Sequence, residues 1–188
     1  MDSTAEMEKK VATGDSVAFS FLFSTHGDAI FRLAHRMTGD LEDAAEISQE
    51  TFVRAWESVR RYDPERPFFT WLYTICLNLI RDHLRKTRKS GFLFSFSFRR
   101  IGEFTPDPAP DPEKQFLRLE NERVLQWGLN QIAPTLREAV LLRFMENLSF
   151  GEIGEVLGIS VSAAKMRVYR GLDKLRETLN GEPFDPIR

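Results

Sequence analysis

The sequence predicts an all-α chain: two small helical lobes joined by a flexible linker, the second ending in a helix-turn-helix. Three observations carry this. Apolar residues recur at three- and four-residue spacing through most of the chain, and no segment shows the alternation with turn pairs expected of a hairpin. From Ser90 to Glu113 that spacing is lost, and TPDPAPDPEK, whose prolines cannot donate an amide hydrogen bond, reads as a boundary. The stretch Leu148 to Arg170, LSFGEIGEVLGISVSAAKMRVYR, is punctuated as two short helices around a tight turn. The expected organisation is therefore 1–89, a linker over 90–113, a second lobe over 114–180 and a tail over 181–188.

The first helix is expected from a cap at Asp15 or Ser16, with Phe19, Leu22, Phe23, Ile30, Leu33, Ala34 and Met37 along its apolar side and Gly39 ending it. The second, DLEDAAEISQETFVRAWESV, repeats Leu41, Ala44, Ala45, Ser48, Phe52, Trp56 and Val59 on one face, while Asp43, Glu46, Glu50 and Glu57 make the rest acidic. An acidic helix surface serves solubility as readily as docking. Gln49 and Glu50 nevertheless offer hydrogen-bond acceptors to a basic protein partner. After the irregular connection RRYDPERP comes a third helix, FFTWLYTICLNLIRDHLRKTRK, with Phe69, Leu72, Tyr73, Cys76, Leu79, Ile80 and Leu84 inward. Thr74, Asn78, Arg81, Asp82 and Arg85 line another side, and the C-terminal end is densely cationic. That chemistry suits opened DNA, with cations for phosphates, Asn78 for a base edge and Trp71 as a stacking ring. Trp71 fits a core position equally well from its spacing, and the terminal cations also favour their own helix dipole.

In the linker GFLFSFSF is rich in phenylalanine and is expected to be covered by the lobes or a partner. The second lobe should hold helices over 116–130 and 136–146, cored by Phe116, Leu119, Val124, Leu125, Trp127, Leu129, Val140, Leu141, Phe144, Ile153 and Leu157. Ser149 and Glu152 form a capping box for 150–157, Gly158 breaks that helix, and Ser160 caps the next. Val161, Ala164, Val168, Leu172, Leu175 and Leu179 give the last helix its buried stripe. Ser162, Lys165, Met166, Arg167, Tyr169 and Arg170 are left on the other side, a face suited to a major groove and nearly free of acidic residues.

The chain has 26 Lys and Arg against 28 Asp and Glu, so a nucleic-acid face must come from segregated charge and not from a basic balance. Cys76 is the only cysteine, which excludes an intramolecular disulfide and a multi-cysteine metal site. His26, His35 and His83 lack metal-ligand spacing, and no Ser/His/Asp grouping, phosphate loop or carboxylate pair argues for catalysis. No catalytic residue, cofactor or metal is expected. Neither a signal-peptide core nor a membrane-length apolar run is present, so no membrane insertion and a cytoplasmic setting are expected.

Three motifs in order, DLEDAAEISQETFVRAW, FFTWLYTICLNLIRDHLRKTRK and LREAVLLRFMENLSFGEIGEVLGISVSAAKMRVYRGLDKLR, make the chain resemble a bacterial sigma factor of the extracytoplasmic-function group from Phe19 to Leu179. The resemblance implies a protein that binds core RNA polymerase and directs initiation by reading two promoter elements. It points to Glu46, Gln49 and Glu50 for docking on the clamp helices of the largest polymerase subunit. Trp71, Asn78, Asp82 and Arg85 would recognise and open the −10 element, with 60–67 as a rim for a flipped base. Ser162, Lys165, Met166, Tyr169 and Arg170 would read the −35 element, with Arg167 on a phosphate. Met166 stands where relatives often have a small polar residue. The resemblance further implies an anti-sigma factor that holds the protein inactive. The alternatives are a stand-alone helix-turn-helix repressor or activator, which would bind an operator unaided, and a protein-interaction module using only the acidic helix.

Overall fold

The computed structural model describes residues 4–89 and 112–181, with side chains described except at 88, 89 and 112–119. Over this range the elements are α1 (Thr4–Ala12), α2 (Ser16–Thr38), α3 (Leu41–Ser58), a 3₁₀ turn (Val59–Arg61), α4 (Phe68–Lys89), α5 (Pro112–Gln131), α6 (Pro134–Phe144), α7 (Phe150–Leu157) and α8 (Val161–Gly181). The chain is all-α among the described residues, as expected. The Phe-rich segment, the expected linker up to 111 and the tail from 182 lie outside them, as do the side chains of Phe116 and Leu119.

Helix boundaries follow local chemistry. Asp15 Oδ1 accepts from the amides of Val17 and Ala18 at 2.8 and 3.0 Å and starts α2. Gly39 ends it in the left-handed conformation at φ 78°, where a Cβ would be strained, and the next residue, Asp40, caps α3. In the first lobe Leu22, Ile30, Leu33 and Met37 of α2 pack with Ala44, Ile47 and Ala55 of α3 and Leu72, Cys76, Leu77 and Ile80 of α4. In the second, Leu129, Leu142, Ile153, Val156, Ala164 and Val168 are buried among α5 to α8.

Several expectations need correction. α1 was not anticipated: its nine residues bury only Val11, too little apolar periodicity to announce a helix. α5 begins at Pro112, inside the expected linker, because proline is well suited to a first helical turn. On α3 the sealed residues are Ala44, Ile47, Thr51, Phe52 and Ala55, so the inward face is rotated from the one read in the sequence and Trp56 stays 41% exposed. Phe23 is 49% exposed, and Leu125, Phe144, Val161 and Leu179 also face outward. Polar groups, by contrast, are buried, Gln126, Arg137 and Glu138 among them.

Those polar groups sit where the lobes meet. α4 packs on α7, and α2 on α5 and α6. The Arg81 guanidinium donates twice to the Glu138 carboxylate, at 2.9 and 2.8 Å. The Tyr73 hydroxyl donates to Glu146, and Thr74 Oγ1 donates to the Val156 carbonyl at 3.4 Å. Arg137 donates to the Met37 carbonyl at 2.9 Å, and Arg36 and Gln126 exchange hydrogen bonds at 3.3 and 3.2 Å. Glu138 is only 1% exposed, and burial lowers the Arg137 pKa to about 10. Burying charge is unfavourable unless it is paired, so these contacts fix how the lobes sit beside an apolar core whose buried residues come from both.

Candidate nucleic-acid interface

The second lobe presents the helix-turn-helix. Ser149 Oγ accepts from the Glu152 amide and the Glu152 carboxylate accepts from the Ser149 amide, the reciprocal pair read from the sequence. Gly158, at φ 65°, closes α7 through bonds from its own amide to Glu155 O and from the Ile159 amide to Gly154 O, which turns the chain sharply. Ser160 Oγ then accepts from the Ala163 amide and starts α8. Ala164, Val168, Gly171 and Leu175 bury one side of α8, which leaves Ser162, Lys165, Met166, Tyr169 and Arg170 exposed and Arg167 half-buried. The five outward side chains lie within two and a half turns and offer a hydroxyl, two cations, a thioether and a phenol. That is a surface able to meet phosphates and base edges together.

The corresponding face on α4 is less open. Asn78, Asp82 and Arg85 are exposed, but Asn78 Oδ1 accepts from Arg81 at 3.1 Å, and Arg85 donates to Asp82 at 2.9 Å. The hydrogen bonds to Glu138 raise the pKa of Arg81 despite its partial burial. Trp71 is half-buried, its ring centroid 5.2 Å from Tyr62 and 5.4 Å from Phe68. It thus supports the irregular 60–67 connection, where the Tyr62 hydroxyl donates to the Arg66 carbonyl at 2.6 Å. Sequence reasoning placed Arg81 on this face but missed its partner, since Glu138 is far away in the chain.

On α3, Glu46 and Gln49 are exposed, and Glu50 holds Arg54 at 2.7 Å. Beside them runs an apolar groove of about 570 Å³ between α2 and α3, lined by Phe19, Phe23, Phe31, Phe52, Val53 and Trp56. Its signal lay in the sequence: Val17, Phe19, Phe21, Leu22 and Phe23 are more apolar positions than one buried stripe accommodates. Acidic and apolar groups share this face. It therefore differs in kind from the cationic faces of α4 and α8.

Comparison with known proteins shows the family. The family model "Sigma-70 region 2" matches residues 22–90 and "Sigma-70, region 4" matches 128–175. The chain is 32% identical to the ECF RNA polymerase sigma factor SigW of Bacillus subtilis over 91% of its length and 94% of that protein's. It is 37% identical to the RNA polymerase sigma factor CarQ of Myxococcus xanthus, covering 88% of this chain and 91% of CarQ. The solved structure of CnrH in complex with the cytosolic domain of CnrY superposes with a TM-score of 0.72 at 30% identity, covering 97% of this chain and 100% of that one. The chain belongs to the extracytoplasmic-function RNA polymerase sigma factors, an alternative sigma factor of the family that binds core polymerase and promoter DNA to direct transcription initiation.

Proposed function

We infer that the three faces divide the work of initiation. α3, through Glu46, Gln49 and Glu50, docks on the clamp helices of core polymerase. Trp71, Asn78, Asp82 and Arg85 recognise and open the −10 element, and Ser162, Lys165, Met166, Arg167, Tyr169 and Arg170 read the −35 element. The observation that carries the reading is the outward face of α8 on a doubly capped helix-turn-helix. Opening proceeds by capturing unstacked bases, which is a binding step, so the protein needs no catalytic group of its own and is not an enzyme. Its place of work is the cytoplasm, with RNA polymerase. An anti-sigma factor, the class of partner implied by the family, would have the acidic and aromatic surface of α2 and α3 available to it.

The lobes must part for this to happen. Arg81 is held by Glu138 and itself holds Asn78, so a DNA strand along α4 and the second lobe exclude each other there. Core polymerase then fixes the separated readers at a set spacing, making the second promoter contact intramolecular.

The deciding experiment is transcription from a cognate promoter with core polymerase present or absent. Specific initiation requires both proteins, whereas a stand-alone repressor would occupy its operator without core. Lys165→Ala should weaken use of a matched −35 duplex by about 1–3 kcal/mol, the scale of a lost base contact. Unchanged −35 preference would remove Lys165 from the set. Asn78→Ala should lower permanganate reactivity of thymines in the opened −10 region while leaving −35 binding intact. Undiminished reactivity would take Asn78 out of strand capture.

A further inference from the structure

Four side chains form a continuous row across the surface of the helix-turn-helix. Arg143, near the end of α6, has its guanidinium 5.0 Å from the centroid of the Phe150 ring. Phe150 lies 6.2 Å from Tyr169 with the planes tilted by 42°, and the Lys165 ammonium is 5.9 Å from the centre of the Tyr169 ring. Cations therefore lie against both ends of a pair of aromatic rings, and ring faces attract cations. Resting on the −35 role given to α8, we propose that Arg143 and Phe150 are positioning residues: they hold Tyr169 and Lys165 in the pose from which those two read the −35 element.

The near end of the row is anchored to backbone. Arg143 Nη1 donates to the Leu148 carbonyl at 2.7 Å, across the turn in which Asn147 adopts φ 55°. Phe150 follows Ser149 directly, so the capping box that fixes the start of α7 also fixes the backbone that carries its ring. The far end has no such support. Tyr169 is 50% exposed and Lys165 is exposed, and among the contacts described for either side chain the row is what restrains it. Without Phe150 the phenol could swing between rotamers, and Lys165 would lose the ring it lies over.

This arrangement bears on specificity more than on affinity. A long cation follows a phosphate through small displacements, because charge attraction is soft in distance and direction. Contact with a base edge depends on placement, and a loosened side chain meets the right and wrong base more equally. Removing the ring should therefore erode discrimination at −35 while the number of neutralised phosphates stays the same.

The test uses holoenzyme assembled from core polymerase and the full chain, competing promoters that differ at single −35 base pairs, at several salt concentrations. Phe150→Leu keeps an apolar side chain without the ring. It should lower discrimination roughly fivefold to tenfold, the low end of the range for a base contact, with the salt slope unchanged. Phe150→Tyr should retain discrimination, and Arg143→Lys, which keeps charge but loses the flat guanidinium, should lose an intermediate amount. Unchanged discrimination in Phe150→Leu overturns the proposal. So does a uniform loss of affinity across all −35 variants or an altered salt slope, which would make the pair a folding element or a phosphate contact. Tyr169→Ala and Lys165→Ala run in parallel separate the two levels. If neither alters −35 preference, the −35 assignment of α8 is at fault; if both do and Phe150→Leu does not, only the positioning role fails.

Discussion

Glu138→Lys should part the two lobes while leaving each folded. The substitution places an ammonium where the Arg81 guanidinium now finds a carboxylate at 2.8 Å, and the site is nearly sealed from water. Breaking a buried pair by changing one partner costs about 3–5 kcal/mol when the remaining charge stays buried. Here it need not stay buried, because Arg81 is already partly exposed and lobe separation returns both side chains to water. The loss is thus bounded by the docking free energy, and the expected result is opening in place of unfolding. A shift of about 3 kcal/mol would move the equilibrium roughly a hundredfold toward separated lobes. Small-angle scattering should report a larger radius of gyration with helicity unchanged. Labels at introduced Asp28→Cys and Glu155→Cys should move apart, while Cys76, buried and with its thiol pushed up to about 12, stays unreactive. Adding Arg81→Glu restores opposite charges and should restore the compact form. On the −10 role proposed for α4, the opened single variant should also bind a −10 single strand more tightly without core polymerase. Unchanged scattering in Glu138→Lys would show that the lobes are held by something other than this pair.

The same contact explains what the sequence could and could not disclose. The existence of α2 to α8 was legible because caps and spacing are local: Asp15, Ser149 and Ser160 each accept a backbone amide as their positions implied, whereas α1 offered too little apolar periodicity. The helix-turn-helix was legible to the residue, since a capping box, a left-handed glycine and a second cap are all specified within twelve positions. Inward faces were less so. α6 carries Arg137, Glu138 and Leu142 all buried, as it is covered by its own lobe on one side and by α2 on another. A helix enclosed that way shows no clean apolar stripe, and its buried polar groups are set by partners distant in the chain. Phe144 faces outward, and Phe23, Val53 and Trp56 line an open groove between α2 and α3 instead of a core. For the proposed site residues, outward placement of Lys165, Tyr169, Arg170, Asn78 and Glu46 follows from helical register alone. The hold of Glu138 on Arg81, and through it on Asn78, is tertiary, between residues 57 positions apart in the chain.

Gly154→Ala should disable the second lobe's reader and spare the first lobe. A Cβ built at Gly154 would lie 2.8 Å from the Ile159 carbonyl oxygen, closer than such atoms approach, with Val161 N next at 3.6 Å. Ile159 lies in the turn between α7 and α8 and Val161 opens α8, and Ile159 is tied down by its own amide bond to Gly154 O at 2.9 Å. Backbone cannot rotate aside as a side chain tip can, so the methyl must push the turn outward or break that bond. Overpacking of this kind costs typically 1–3 kcal/mol, a large share of what a lobe of this size has in reserve. The displaced turn would also tilt α8 on its supports, which misplaces Lys165 and Tyr169 even in molecules that remain folded. Thermal unfolding of the second lobe should fall by several degrees, and −35-dependent initiation should drop at least tenfold, with −10 strand binding by α4 retained. Gly158→Ala gives the contrast: a Cβ there meets nothing within 4 Å, so only the left-handed φ of 65° is strained, about 1 kcal/mol, and asparagine should largely restore it. If Gly154→Ala proved as mild as Gly158→Asn in both melting and −35 use, the close approach of α7 to the turn would not govern how the recognition helix is held.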